Sequence, residues 1–276
     1  MTLPALRDVL LERRQSTVIA TLDRPQTKNA LNAAIIDSLF AICRWLKEER
    51  DIRALVLRGS GGSFCAGGDI KEFAAQLMAA EPAPGEADPV EKANRRFGDL
   101  LLELDALPQV VVSLIEGAAF GGAMGFIAVS DVVIAASDAK FSLSETTLGL
   151  PPAQIGPFLV RKIGLFNARR LALTGARFGA DEGLRAGLVD RVVAPNDLEA
   201  MLAATLCEIG RCEPAALAAT KRIFNRAAGA VDPADLDDAA RAFARCLRGA
   251  GREGAAAFAR KEPPSWVDIY PQNTQA

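Results

Sequence analysis

Two glycine-rich turns and one acidic residue carry the chemistry that this sequence could perform. After the continuous apolar segment 110–117, Gly121 and Gly122 allow a sharp turn into a short apolar helix predicted over 123–129. Free N–H groups at a helix start can hold an oxyanion. A second glycine-rich loop, 59–73, follows another predicted strand. Glycines also occur where chains simply pack closely, but two such loops favour an anion site, because two converging N–H donors would stabilise a developing oxyanion.

The absence of histidine restricts the possible catalytic groups. It excludes Ser-His and Cys-His nucleophile systems and histidine metal sites, so we expect no metal. The five cysteines show no CxxC spacing, which is typical of a reducing compartment. Cys65 lies in the second glycine loop and could be a nucleophile, but no base is visible nearby. A carboxylate is then the natural proton carrier, and Glu145 is delivered by a strand-like segment after the first turn.

The elements that must position these residues alternate between strands and helices. Segments 16–22 and 53–59 read as strands, and 32–50 between them has helical spacing with one apolar stripe. Strand, helix and strand of these lengths predict an α/β fold with a parallel sheet. Neither loop has the GxGxxG or GxxxxGK[ST] spacing of a nucleotide site. We expect a mobile loop over 79–89, an interrupted helix that becomes continuous from about Phe158, and helices only from residue 196 onward.

Composition and charge describe a chain without an evident membrane or nucleic-acid partner. Half of the 276 residues are hydrophobic, yet no apolar run approaches the roughly 18 residues that span a bilayer. The first fifteen residues carry charge where a signal peptide needs its apolar region. The net charge of −2 gives no electrostatic footprint for nucleic acid. We therefore expect a cytoplasmic protein that binds neither a membrane nor nucleic acid.

Four segments of the sequence together resemble one known family. They are LDRPQTKNAL (22–31), FCAGGDIKE (64–72), EGAAFGGAMGFIAVSD (116–131) and TGARFGADEGLRAGLVDRVV (174–193). In order and spacing they resemble the crotonase, or enoyl-CoA hydratase/isomerase, superfamily, over roughly residues 10 to 262. The resemblance implies a ββα spiral core with the CoA and acyl site over 1–195. It also implies a C-terminal helical region for oligomerisation over 196–276, forming a homotrimer or a dimer of trimers.

The resemblance also implies roles for particular residues. The thioester oxygen would lie between the backbone N–H groups of Gly68 and Gly122, and coenzyme A would enter as part of the substrate rather than as a cofactor. Coenzyme A would be held by the turn at 28–31 and the loop at 68–71, and a neighbouring subunit would add two C-terminal residues. The implied CoA contacts are Arg24, Lys28, Ala30, Leu31, Ala66, Asp69, Ile70, Lys71, Phe258 and Lys261. Arg24, Lys28 and Lys71 could equally be solvated surface charges.

The sequence departs from the family pattern at Gly125. Well-known hydratases carry one glutamate at this position and another about twenty residues later, whereas this chain keeps only Glu145. Gly125 shares a helix face with Gly122, so we expect it to look into the site and leave room for a branched acyl chain. If the reaction is a hydration, another group must then orient the water that adds to the double bond. Ser144, Gln154 or a backbone carbonyl near Gly125 are candidates. Arg95 and Arg96 would reach either solvent or a charged acyl end.

We therefore predict an enoyl-CoA hydratase that uses a single glutamate. The segment 148–164 resembles hydratases of 3-methylglutaconyl- and isohexenylglutaconyl-CoA, from leucine and acyclic terpene breakdown. The enzymic alternative is an enoyl-CoA isomerase, because relocating a double bond needs only one carboxylate to shuttle a proton. A non-catalytic acyl-CoA-binding trimer is a further alternative. An RNA-binding role, known for one branch of the family, is disfavoured by the acidic balance.

Overall fold

A computed structural model describes residues 4–69, 71–72, 82–83, 86 and 88–267. Its larger sheet has the strand order β1-β2-β3-β4-β6-β9, in which β1 is antiparallel to β2 and all later neighbours are parallel. The strands are β1 (Val9–Arg14), β2 (Thr17–Leu22), β3 (Ala54–Gly59), β4 (Val110–Ile115), β6 (Val132–Ala136) and β9 (Arg191–Val193). This sheet confirms the predicted parallel core and the strands expected at 16–22, 53–59 and 110–117.

A second, smaller sheet receives the chain after each of two central strands. It contains β5 (Ala118–Phe120), β7 (Lys140–Ser142) and β8 (Arg177–Gly179), ordered β5-β7-β8. The chain thus runs from β4 through β5 into a helix, and from β6 through β7 into a 3-10 turn, Ser144–Leu148. This repeated passage from sheet to sheet is the expected ββα spiral. It brings the ends of β5 and β7 side by side, since Ala119 pairs with Phe141.

Nine described helices complete the molecule. They are α1 (Ala33–Glu48), α2 (Pro89–Asp105), α3 (Gly122–Val129), α4 (Gly156–Thr174), α5 (Ala180–Arg185), α6 (Leu198–Gly210), α7 (Pro214–Ala227), α8 (Pro233–Arg248) and α9 (Ala250–Arg260). The Asn32 side chain caps α1 by accepting from the Ile35 N–H, and Asp232 caps α8 in the same way at Ala234. The predicted stripe of α1 is buried at Ile35, Leu39, Ile42 and Leu46.

Three details differ from the sequence predictions or extend them. Strand β1 was not predicted, because its outward residues are charged and only Val9 of this strand is buried. Helix α4 starts at Gly156 rather than about Phe158, because a proline in the first turn lacks an N–H that the helix does not need there. It is also not continuous, because Gly164 has non-helical backbone angles (φ 73°, ψ 158°) that kink it. Most of the loop predicted at 79–89 lies outside the described residues.

The C-terminal helices pack on the rest of the chain. Leu198, Leu202 and Leu236 join the main hydrophobic core. A second cluster combines Val90 of α2 and Leu150 with Phe243, Ala244 and Leu247 of α8. Within the described parts of the chain, no helix is both long enough and apolar enough to cross a membrane.

Candidate active site

The two glycine loops lie against each other at the end of β5. Cys65 pairs with Ala119, with Cys65 donating its N–H to the Ala118 carbonyl at 2.9 Å and the Phe120 N–H donating to the Cys65 carbonyl at 3.0 Å. The same loop then pairs Gly68 with Leu31, through bonds from Leu31 N–H to Gly67 O and from Asp69 N–H to Leu31 O. The three segments at 28–31, 65–69 and 118–122 therefore form one small backbone ladder.

Two N–H groups of this ladder have no protein acceptor among the described residues. Gly122 is the first residue of α3, so its N–H has no partner within the helix. In the bridge between Gly68 and Leu31, the hydrogen bonds are made by the Gly67 carbonyl oxygen and the Asp69 N–H. The N–H of Gly68 itself is therefore not used in the bridge. The N–H of Gly67 is taken, since it donates to the Cys65 Sγ at 3.4 Å. Free donors thus remain at the two positions that the sequence predicted for an oxyanion site.

The close approach of the loops requires glycine at two positions with positive φ. Gly67 has φ 95°, and a Cβ there would lie 3.0 Å from the Phe120 carbonyl oxygen. Gly121 has φ 52°, and a Cβ there would lie 3.6 Å from the Gly67 Cα and 3.3 Å from the Glu145 Oε1. Side chains at either position would separate the loops. The same measurements place the Glu145 carboxylate beside the first turn.

Glu145 lies at the second residue of the 3-10 turn that follows β7. Its Oε2 is buried and has no hydrogen-bond partner among the described residues. Burial away from water raises the pKa of this carboxyl group to about 7, although a hydrogen bond to its own backbone opposes the shift. Buried carboxylate oxygens normally have a partner, so this oxygen is available to a substrate or a water molecule. Such a group can accept and return a proton near neutral pH.

Asn29 links the two predicted CoA-binding segments by hydrogen bonds, a role that was not predicted from the sequence. It is fully buried with φ 58°, its Oδ1 accepts from the Arg24 N–H, and its Nδ2 donates to the carbonyls of Ser60 and Ser63. The amide therefore ties the turn after β2 to the loop after β3. An asparagine in a turn is tolerant of positive φ, and that was the available sequence signal.

Cys65 is a poor nucleophile in this environment. Its side chain is fully buried, and that burial raises the pKa of the thiol to about 12, although a hydrogen bond from Gly67 opposes the shift. The thiolate is the nucleophilic form of cysteine, so a thiol this hard to ionise does not support the alternative of cysteine catalysis. Within the described ranges, no group of three or more acidic or cysteine side chains could hold a metal ion.

Comparison with known proteins identifies the family. The profile of the enoyl-CoA hydratase/isomerase family matches residues 12–269. A probable enoyl-CoA hydratase of Rhodobacter capsulatus is 34% identical over 93% of this chain and 96% of its own. The chain belongs to the enoyl-CoA hydratase/isomerase family. It is an enoyl-CoA hydratase, a hydro-lyase of the crotonase superfamily.

Two further relatives extend the comparison. The 2,3-dehydroadipyl-CoA hydratase of Escherichia coli is 29% identical over 95% of this chain and 99% of its own. The solved structure of Pseudomonas aeruginosa AtuE is 47% identical, with a TM-score of 0.76 over 95% of this chain and 100% of its own. The crotonase fold predicted from the sequence is thereby confirmed.

The structure places most of the predicted CoA contacts in or beside the backbone ladder. Arg24 Nη1 donates to the Ala30 carbonyl at 2.7 Å and to the Asp69 Oδ2 at 2.8 Å. Burial would raise the pKa of Asp69, but the bonds from Arg24 and the Lys71 N–H lower it overall. Arg24 and Asp69 thus hold the two segments together. The Ala66 N–H adds a bond to the Lys28 carbonyl at 2.9 Å.

The remaining predicted contacts differ in exposure. The side chains of Lys28 and Lys71 are exposed, whereas Leu31 is buried. Ile70 lies outside the described residues. Phe258 is 51% exposed in α9, and Lys261 is an exposed residue that ends this helix with φ 57°. A role in binding coenzyme A stays a prediction for each of these residues.

The expectation of open space at Gly125 is wrong. Gly125 is buried in α3, and a Cβ there would lie 3.0 Å from the Leu101 Cδ1 and 3.2 Å from the Phe97 Cζ. These side chains come from α2, so the place expected to be empty is bordered by an aromatic ring and a leucine. The sequence shows that Gly125 has no side chain, but it does not show which distant side chain fills the room.

Two other groups of candidates have partners elsewhere. Gln154 is buried, and its Nε2 donates to the Asn94 Oδ1 and the Leu236 carbonyl, both at 2.9 Å. The Gln154 side-chain NH2 therefore donates to residues of α2 and α8 and not to a catalytic water. Arg95 pairs with Asp99 and Asp237. Arg96 pairs with Asp37, so both arginines are engaged with carboxylates of this chain instead of an acyl end.

Proposed function

We propose that this hydratase adds water across the 2,3 double bond of a branched enoyl-CoA with Glu145 as its single catalytic carboxylate. The observation that carries the proposal is the buried Glu145 carboxylate, whose Oε2 has no hydrogen-bond partner among the described residues and whose Oε1 lies beside the glycine turn at Gly121. Gly122, which follows in this turn, and Gly68 on the adjoining loop have N–H groups without a protein acceptor among the described residues. One base and two anion-stabilising donors are the groups that hydration through an enolate requires.

In the proposed reaction the thioester oxygen accepts hydrogen bonds from Gly68 and Gly122. Glu145 takes a proton from water while the water oxygen bonds to C3, and the electron pair of the double bond moves to the enolate oxygen. The protonated Glu145 then returns a proton to C2, which restores the thioester carbonyl. Removal of one such N–H donor typically costs about 2.7–4 kcal/mol of transition-state stabilisation.

The acyl group is proposed to be of the 3-methylglutaconyl or isohexenylglutaconyl type. Support comes from the segment 148–164, LGLPPAQIGPFLVRKIG, which resembles hydratases of those thioesters. Such substrates would place the enzyme in leucine or acyclic terpene degradation. The Escherichia coli relative is named for a different acyl group, so membership of the family by itself leaves the acyl chain open.

Assembly and location complete the proposal. By resemblance we infer a homotrimer or a dimer of trimers in the cytoplasm, with coenzyme A entering as part of the substrate and no separate cofactor. The C-terminal helices would then carry both packing within the chain and contacts between subunits.

An isomerase remains the second candidate, because one carboxylate is enough to move a proton from C2 to C4. A panel of 2-enoyl and 3-enoyl thioesters, straight and branched, separates the two reactions when assayed in water enriched in oxygen-18. We expect the label at C3 of the product from 3-methylglutaconyl-CoA. An unlabelled product with a displaced double bond from a 3-enoyl substrate would instead establish the isomerase.

A further inference from the structure

Two side chains of α2 lie against the face of α3 that carries Gly122 and Gly125, and Leu31 also reaches Gly122, with its Cδ1 2.7 Å from a Cβ there. A Cβ on Gly122 would lie 3.7 Å from the Phe97 Cζ, and a Cβ on Gly125 would lie 3.2 Å from the same atom. Leu101, four residues after Phe97 and therefore on the same side of α2, approaches the Gly125 position to 3.0 Å. The ring of Phe97 thus lies beside both glycine positions.

This packing leaves little room for a second carboxylate. A side chain at 125 would have to displace Leu101, which is fully buried, and Phe97, whose ring packs edge-to-face on Phe126 with centroids 5.7 Å apart. Contacts of 3.0 to 3.2 Å at a Cβ are already tight, and the rest of a glutamate side chain would extend beyond it. The loss of the second glutamate and the presence of Phe97 are therefore complementary features of one site.

Phe97 differs from Leu101 in keeping part of its surface accessible. It is half-buried, and the tip of its ring lies beside the first residue of α3, whose N–H would hold the thioester oxygen. An acyl chain attached to a carbonyl at that position extends from the oxyanion site with its first carbons beside this ring. Aromatic rings supply large apolar contact areas to such groups.

We propose that Phe97 is the specificity-determining residue of the acyl site, packing against the substituent at C3 from the place where other hydratases carry their second glutamate. This inference rests on the proposed function, because it requires the thioester oxygen to lie between Gly68 and Gly122. The ligand class is an enoyl thioester with an apolar branch at C3. Phe97 touches that branch, and Leu101 borders the Gly125 position together with the ring.

The first test compares kcat/KM for 3-methylglutaconyl-CoA and crotonyl-CoA in Phe97→Ala and in the milder variant Phe97→Leu. We expect Phe97→Ala to lower the branched-to-straight ratio by about tenfold or more, since an apolar contact of this size discriminates by about 10- to 200-fold. Phe40→Ala is the matched control, because Phe40 also packs on the main core and contacts α2 through Arg96. An unchanged ratio in both Phe97 variants, with a Tm lowered as in Phe40→Ala, would reduce Phe97 to a core residue.

The second test is a double-mutant cycle between Phe97 and Gly125. Gly125→Glu alone should lower both Tm and kcat/KM, whereas Phe97→Ala with Gly125→Glu should recover at least about tenfold of the lost activity, because the deleted ring makes room for the new side chain. Effects that simply add would overturn the inference. Glu145→Gln distinguishes the two failures: if that variant stays active the proposed function fails, and if it is inactive while the ratio is unchanged only the role of Phe97 fails.

Discussion

Glu145, the proposed catalytic carboxylate, lies in an environment that disfavours its charged form. Among the described residues its buried Oε2 has no hydrogen-bond partner, and no nearby cation lowers the pKa of the group. Burial raises the pKa of the group to about 7, so both protonation states are well populated near neutral pH. A residue that must first accept and then donate a proton benefits from this balance. The same shift also has a consequence for stability.

The activity should depend on ionisation of Glu145. Because the carboxylate form takes the proton from water, we expect kcat/KM for hydration to fall below about pH 7 and to approach a tenfold loss per pH unit. The measurement is a pH–rate profile with saturating and limiting thioester, with the unfolding midpoint recorded at each pH as the control. A flat profile down to about pH 5.5 with an intact fold would contradict the assigned pKa.

The stability of the protein should depend on the same group with a defined sign. Because the native pKa lies above the ordinary value of 4.5, the native state holds the proton more tightly than the unfolded chain. Its contribution is therefore present below about pH 4.5 and is lost as the pH rises through about 7. Glu145→Gln avoids this loss, and one pKa unit corresponds to about 1.4 kcal/mol.

We therefore expect Glu145→Gln to have a free energy of unfolding higher by on the order of 2–3 kcal/mol at about pH 8, with the difference shrinking toward about pH 4.5. Chemical unfolding at both pH values measures it. The control is Glu48→Gln, which changes an exposed glutamate at the end of α1. A difference that does not change with pH would show that the carboxylate is not desolvated.

At the residue scale the sequence predicted the groups proposed to perform chemistry but not those that hold them. Glycines in turns and a lone carboxylate carry strong signals of their own. Asn29 carries only the weak signal of an asparagine in a turn, because its partners Ser60 and Ser63 are 31 and 34 residues away along the chain. Phe97 carries no signal, because the glycines that it borders are 25 and 28 residues away. Gly125 shows the same limit, because α2 decides how much room it leaves.

Helix α9 supports the 3-10 turn that carries Glu145. A Cβ on Gly254 would lie only 2.2 Å from the Leu148 carbonyl oxygen, and a Cβ on Gly149 would lie 3.0 Å from the Ala250 carbonyl carbon. The helix and the turn therefore touch backbone to backbone. The C-terminal helices thus help to position the proposed catalytic carboxylate of their own chain.

Gly254→Ala should lower kcat by about tenfold or more, because the added methyl group must push α9 or the turn, and a shift of about 1 Å in a catalytic group can cost about a hundredfold. Kinetics with one thioester and the unfolding temperature measure the effect. Gly210→Ala is the matched control, since a Cβ at this position in α6 meets nothing within 4 Å. Equal kinetics for the two variants would remove α9 from the support of Glu145.

At the element scale the periodic segments were the most predictable. The buried stripe of α1 and the continuous apolar strands appear as expected. Strand β1 was not predicted, because it pairs at the sheet edge and exposes charged side chains. The position of the loop after β3 beside β5 depends on the long-range pairing of Cys65 with Ala119, which local patterns do not specify.

The whole molecule leaves apolar side chains of α4 exposed. Phe166 is 79% exposed and Leu173 is 67% exposed, and their spacing of seven residues places them on one helical face. Exposed apolar groups that share a face are typical of surfaces that contact another chain. Phe166 and Leu173 could therefore lie at a subunit contact of the trimer or dimer of trimers inferred by resemblance.

We expect sedimentation equilibrium to give a mass of about three or six times the 29.2 kDa of one chain. Phe166→Glu should weaken that assembly, because it places a charge on the exposed apolar face. Leu10→Glu is the control, since Leu10 is exposed on the edge strand β1. A wild-type chain that sediments as a monomer at micromolar concentration would contradict the predicted oligomer.

The role of Glu145 as the single catalytic carboxylate is tested by following the formation of the C3–O and C2–H bonds of the product in wild type and in Glu145→Gln. Hydration is run in deuterated water enriched in oxygen-18, and mass spectrometry with NMR determines the label at C3 and the deuterium at C2. If Glu145 alone serves both steps, the variant keeps its fold and substrate affinity but forms both bonds slower by about 10²–10⁴. Rapid deuterium exchange at C2 in Glu145→Gln, or turnover within a few-fold of wild type, would contradict the single-carboxylate mechanism.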